Sequence, residues 1–269
     1  MLREEPVDAI VYAPTMVAPP AWPLHVMVAS AAPVVIWNAL QVLTLERDLD
    51  HPRATINTTQ VGCLMLANVL VRQRRWSHTV TGSPLRPTDN AAVLQVVRSA
   101  ATAGSLRRAV ALRIGDAIPG YDDVMASPGE LGTLGVSEIP VGKPELDAAF
   151  DAIDDASARR LLDTLAARPG WRMQAGENAL SSARLALALE GLCARHKVSC
   201  GTINCHGELF RNNPKIGITA CLGMSLMGER GIPLSCTGDL PAGLAMLIAE
   251  RLSGHALYCE TYAPDLPRG

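Results

Sequence analysis

Gly201-Thr202-Ile203-Asn204-Cys205-His206-Gly207-Glu208-Leu209 and, thirty residues on, Gly231-Ile232-Pro233-Leu234-Ser235-Cys236-Thr237-Gly238-Asp239-Leu240 repeat one pattern. Each is a short apolar run that reads as a strand, followed by a turn of small residues carrying one carboxylate. Gly217 to Arg230 between them predicts a helix closed by Gly231, which makes the pair a strand–helix–strand unit. Such a crossover lays two parallel strands side by side. In an open α/β sheet the C-terminal strand ends line the ligand crevice, so Glu208 and Asp239 are expected at one edge. Hard cations prefer carboxylate and water oxygens, and two such acids can share one. Glu208 also reads as an ordinary loop acid and Asp239 as the N-cap of the helix that follows; both readings stand at this level.

Outward from this stretch the same rhythm continues. Downstream, Pro241 suits the first turn of a helix reaching about Leu252, and Gly254 suits its end. His255 to Tyr262 reads as a last strand. Upstream, Gly176 to His196 is an Ala- and Leu-rich helix, and Pro144 to Arg168 is helical with a break at Asp154-Asp155. Val136 to Val141 and Arg108 to Gly115 are strands, with a short helix from Glu130 to Leu134 before the former. The exit of the Arg108 strand, Gly115-Asp116-Ala117-Ile118-Pro119-Gly120, lacks the GxGxxG spacing of a nucleotide loop. Asn90 to Ala103 is a helix for which Asp89 is the expected N-cap. The Pro-rich stretch 83–90 reads as a linker.

Before that linker come strands at Val7 to Pro14, Pro33 to Ala39 and Ser77 to Gly82. A short helix from Leu24 to Ala31 separates the first two. Another, Val61 to Arg72, has an inner face of Cys63, Leu66, Ala67 and Leu70. Arg72 to Arg75 reads as a solvated helix end, and His78 as a structural histidine. Apolar strands alternating with helices are the signature of parallel sheets. The fold class is therefore α/β, with two Rossmann-like parallel-sheet domains. Residues 1–85 form the N-terminal one, expected to be incomplete because a core strand opens it so early. Residues 86–269 form the second and carry the site.

Composition fits a chain with a substantial core: 269 residues, 48% hydrophobic and 19% charged. A net charge of −2 without a basic block speaks against nucleic-acid binding through phosphates. No unbroken apolar run reaches membrane-spanning length, so no membrane partner is expected. The seven cysteines are odd in number and contain no CxxC spacing. They read as free thiols in a reducing cytoplasm.

Gly231-Ile-Pro-Leu-Ser-Cys-Thr-Gly-Asp-Leu-Pro-Ala-Gly-Leu-Ala-Met-Leu, followed by Leu252-Ser-Gly, resembles the L-fucose isomerase family and its L-arabinose isomerase relatives. Asn204-Cys-His-Gly-Glu-Leu is similar to that family's Cys-x-Pro-Glu segment. Thr59-Gln-Val-Gly, Val80-Thr-Gly and Ile114-Gly-Asp-Ala-Ile-Pro-Gly-Tyr-Asp-Asp-Val also look like family segments, so the resemblance runs in order over about residues 7–262. It implies a manganese-dependent aldose–ketose isomerase that moves a proton between C1 and C2 through an ene-diol. Glu208 and Asp239 would be both the catalytic carboxylates and the metal ligands. His206, Gln60 and Trp22 would contact a small sugar substrate, and the assembly would be a homo-oligomer.

Departures accompany the resemblance. Thr237 stands where the family has an acid, and Gly207 where it has a proline. The family's third ligand, a histidine in a C-terminal β-rich domain, has no counterpart in this chain. Three functions compete: an active isomerase, a carbohydrate-binding or regulatory homologue that has lost catalysis, and a metal-dependent lyase using the same acids.

Overall fold

The computed structural model describes residues 6–44, 46–48, 50–172, 176, 178–260 and 263. The chain divides into two compact units, Met1–Arg107 and Arg108–Gly269, each with its own parallel sheet.

The first unit runs β1 (Ile10–Tyr12), α1 (Ala21–Val28), β2 (Val34–Ala39), α2 (His51–Ala54), α3 (Thr59–Arg72), β3 (Ser77–Gly82) and α4 (Pro87–Leu106). Its strands lie in the order β1-β2-β3, all parallel. Val34, Val35 and Ile36 are all buried, because a central parallel strand has both faces covered and loses its alternation. Met27 of α1 and Cys63, Leu66 and Leu70 of α3 pack with Val34 and Ile36. The expected inner face of α3 is thus its packed face.

α4 packs on β2 and β3. The end of α4 fits against the start of the unit only because residue 104 is glycine: a Cβ there would fall 1.9 Å from the Asp8 carbonyl oxygen. These contacts bind α4 to the first sheet. The division of the chain therefore comes between Arg107 and Arg108, one helix later than the stretch at 83–90 read as a linker. The stretch His51–Arg72 is, among the described residues, long and apolar enough to cross a membrane by length and composition.

Two local expectations are corrected in this unit. Asp89 does not cap its helix; its Oδ2 accepts from the Ser83 backbone N–H at 2.9 Å, and the N-cap is Arg86. Arg75 is no solvated helix end. Its guanidinium donates to the carbonyls of Met27, Ser30, Ala31 and Ala32, closing the turn after α1. His78 is exposed on the edge strand β3 and stacks on Trp76 with ring centroids 6.5 Å apart.

The second unit runs β4 (Val110–Ile114), a 3-10 turn (Asp122–Val124), α5 (Pro128–Leu134), β5 (Ser137–Val141), α6 (Lys143–Asp151), α7 (Asp155–Ala166), α8 (Ala179–His196), β6 (Cys200–Ile203), α9 (Cys221–Glu229), β7 (Leu234–Ser235) and α10 (Leu240–Ser253). The strand order is β5-β4-β6-β7, every pair parallel. The chain begins in the middle at β4, steps out to β5, then returns past β4 to β6 and β7.

The main core joins Leu112, Ile114, Ile203 and Leu234 of the sheet to Leu146 and Phe150 of α6 and Leu185, Leu189 and Leu192 of α8. α10 lies against β6 and β7. It comes so close that a Cβ at Gly243 would sit 2.4 Å from the Gly201 carbonyl oxygen.

Two further expectations are corrected here. α9 starts at Cys221, not Gly217, because Gly217 takes a left-handed φ of 63° that a helix cannot use. Residues 255–260 are irregular, not a strand; residues 261 and 262 of that expected strand lie outside the described residues.

Candidate functional site

In an open parallel sheet the ligand crevice forms where the strand order reverses, outside the C-terminal strand ends. Here that place lies between β4 and β6. A cavity of about 480 Å³ occupies it, lined by Arg113, Gly115 and Asp116 at the end of β4 and just beyond, Pro140 to Gly142 at the end of β5, and Asn204, Gly207 and Glu208 after β6. The volume falls within the range of small-molecule sites.

Loop geometry delivers Glu208 to this cavity. Gly115 turns at φ 85° and lets the Asp116 peptide pass beside Asn204. Asn204 Nδ2 donates to the Asp116 carbonyl at 2.6 Å, and Asn204 Oδ1 accepts from the His206 backbone N–H at 3.0 Å. Asn204 thus uses both ends of its amide, one bond reaching the β4 loop and the other its own β6 loop. Beyond Glu208 the chain is anchored by Phe210, which is fully buried, and by Asn213. Glu208 itself is exposed. Its carboxylate has no hydrogen-bond or ion-pair partner among the described residues.

The neighbouring charges are already matched. Arg113 pairs with Glu138 and with Asp116. Burial pulls its guanidinium pKa down, but the bonds to Glu138 and Asp116 outweigh that and hold the charge more firmly. Among the described residues Glu208 is left as the unmatched charged group of the cavity wall.

Asp239 lies one strand further, at the end of β7, and it caps α10. Its Oδ1 accepts from the Ala242 backbone N–H at 2.8 Å, satisfying one of the free donors of a helix start. Gly238, at φ 85°, brings this turn against the β4 loop: a Cβ there would sit 2.9 Å from Ala117 Cα. Thr237 before it is left-handed at φ 57°, an unusual conformation for a β-branched residue. Its Oγ1 donates to the Cys236 carbonyl at 2.8 Å.

His206 is exposed in the loop between Cys205 and Glu208. Gln60 is exposed on α3, and Trp22 is 67% exposed on α1. Both belong to the first unit. The second unit thus holds Glu208, Asp239 and His206 on the loops of one sheet edge. Arg113, Asp116 and Asn204, which shape the crevice, escaped the sequence reading. The glycine- and acid-rich exit of β4 was the available signal for Asp116.

Among the described residues no group of three or more His, Cys, Asp or Glu side chains is placed to hold a metal ion. With Asp239 engaged as a cap, the described donors do not complete the oxygen shell that manganese prefers.

A second cavity, about 720 Å³, opens on the α9 side of the same unit and is lined by Cys221, Met224, Cys236, Met246, Tyr258 and Cys259 among others. Tyr258 Oη donates to Glu260 at 2.6 Å. Burial first, and the Glu260 carboxylate next, push its phenol above the ordinary range. No protein-family model matches this chain, and no curated protein matches it.

Proposed function

We propose that the second unit binds a small sugar at the crevice between β4 and β6 and interconverts its aldose and ketose forms, as the resemblance to L-fucose isomerases implies. The observation that supports this is Glu208: an unpaired carboxylate on the wall of a crevice at the reversal of strand order. A carboxylate so placed can take a proton from one of two adjacent sugar carbons and return it to the other through an ene-diol. The walls of Gly115, Pro140 and Gly142 leave room for a polyol, while Asn204 holds the loops in register.

Manganese remains part of the proposal as a condition to vary, with Glu208 and Asp239 as the residues implied by the resemblance. His206 is the proposed sugar contact in this unit. The homo-oligomer belongs to the same reading. Val61, Leu64, Met65 and Val71 expose an apolar face on α3, of the kind that association covers.

A second reading, a carbohydrate-binding homologue without turnover, is favoured by the commitment of Asp239 to capping. One experiment addresses both. The protein is incubated with a panel of aldoses in deuterated water, with and without manganese, and exchange of the C2 proton is followed by NMR. The isomerase reading expects exchange that falls on the order of 100-fold or more in Glu208→Gln. Sugar binding without exchange supports the second reading. Exchange that persists unchanged in Glu208→Gln removes Glu208 from the chemistry.

A further inference from the structure

All seven cysteines are free, and three of them converge where β6, β7 and α9 meet. Ile203 and Leu234 pack in the core on the α8 side of the sheet. Side chains two residues apart on a strand share a face, so Cys205 and Cys236, which follow them, face that side too. Cys205 confirms the pattern: its Sγ accepts from the Ala220 backbone N–H at 3.3 Å, just under the start of α9. Cys221 is the first residue of α9, and Cys221 and Cys236 line the same cavity.

The three thiols differ in access. Cys205 is 2% exposed, and burial pushes its thiol up to about 11. Cys236 is half-buried and Cys221 is exposed. Of the two thiols that share the cavity, Cys221 is the more accessible to an oxidant from solvent, with Cys236 less exposed beside it in the lining.

We propose that Cys221 and Cys236 are a peroxide-sensitive pair that closes a reversible disulfide between the start of α9 and the end of β7. In the first step the Cys221 sulfur attacks a hydroperoxide. An S–O bond forms, the O–O bond breaks, and the leaving oxygen takes the thiol proton as water or alcohol. In the second, the Cys236 sulfur attacks the Cys221 sulfenic acid; an S–S bond forms, the S–O bond breaks, and water leaves. The two thiols together lose two electrons and the peroxide gains them. The bond fixes Cys236 immediately before the strained Thr237 and the Asp239 cap. Oxidation would therefore change the turn that closes the sheet edge beside the Glu208 crevice. The pair does not depend on the sugar reading, and its test reads thiols alone.

The purified chain is treated with a modest excess of hydrogen peroxide, digested without reduction and examined by mass spectrometry, with free thiols titrated in parallel. The expected result is a Cys221–Cys236 linked peptide and loss of two of the seven thiols, both reversed by dithiothreitol. In Cys236→Ser, Cys221 should accumulate as a dimedone-trappable sulfenic acid. In Cys221→Ser, the linked peptide should vanish while Cys236 stays reduced. Cys259→Ser should leave the linkage intact. Linkage of Cys221 to Cys259, linkage between two chains, oxidation of Cys221 to the sulfinic acid without linkage, or seven unchanged thiols would each overturn the proposal.

Discussion

Asn213 donates from Nδ2 to Asp147 Oδ1 at 2.7 Å, tying the loop that carries Glu208 to α6. The same Nδ2 also reaches the Leu209 carbonyl at 3.1 Å, and Oδ1 accepts from the Lys215 backbone N–H at 3.0 Å. Asn213 is 1% exposed, so its own end of each bond is shielded from water. One buried amide thus holds the chain on the far side of Glu208, as Asn204 holds it on the near side.

Asn213→Ala should destabilise the protein by about 1–3 kcal/mol, the cost of leaving buried polar groups without partners. Urea unfolding measures it. A shift within about 0.5 kcal/mol would mean that the loop is held by Phe210 alone.

The Asp147 carboxylate gives this anchor a pH dependence. Burial raises its pKa. Hydrogen bonds from Lys143 and Asn213, with the positive charges of Lys143 and Lys215, outweigh burial and leave it below the ordinary value. A group depressed in the folded state contributes stability that is complete above its unfolded pKa, about 3.9. That contribution fades as pH falls through the lower folded value. Asp147→Asn should therefore be less stable than the parent at pH 7, and the gap should narrow steadily below about pH 4. Unfolding midpoints between pH 7 and pH 2.5 test this; a gap independent of pH would contradict it.

Asp239 separates capping from chemistry. Asp239→Ala should cost about 1 kcal/mol, as for other N-caps. Asp239→Asn keeps a capping oxygen and should stay within a few tenths of a kcal/mol of the parent. If Asp239→Asn is stable yet loses proton exchange, the carboxylate has a role beyond the cap. If exchange is unaffected, the cap is its whole contribution.

Two helical glycines should respond in opposite directions. Gly243 of α10 faces the Gly201 carbonyl so closely that a Cβ would sit 2.4 Å away. Gly243→Ala should cost about 1–3 kcal/mol through overpacking. Gly191 of α8 has nothing within 4 Å of a Cβ position, and Gly191→Ala should stabilise by about 0.5–1 kcal/mol through helix propensity. Thermal unfolding of the two variants distinguishes them; equal shifts would refute the close approach of α10 to β6.

Local structure was largely legible in the sequence, because neighbours within a few residues determine it. The run Val34-Val35-Ile36 announced a strand buried on both faces. The spacing of Cys63, Leu66 and Leu70 announced the packed side of α3. Asp154 marked the break between α6 and α7, where its Oδ1 takes the Ser157 backbone N–H. Gly254 marked the left-handed end of α10. Parallel sheets followed from the alternation of these elements.

Tertiary structure alone decided which sheet α4 joined, since that depends on contacts such as Gly104 with Asp8 across almost a hundred residues. It decided the strand order β5-β4-β6-β7, and with it the crevice between β4 and β6 where Glu208 has no partner among the described residues. It also brought Arg75 to the carbonyls after α1, and set Cys236 and Cys221 in the lining of one cavity. Periodicity and turn chemistry encode what a segment becomes. Which segments meet is set by the packing of whole faces, where burial and partner choice depend on residues that no local window contains.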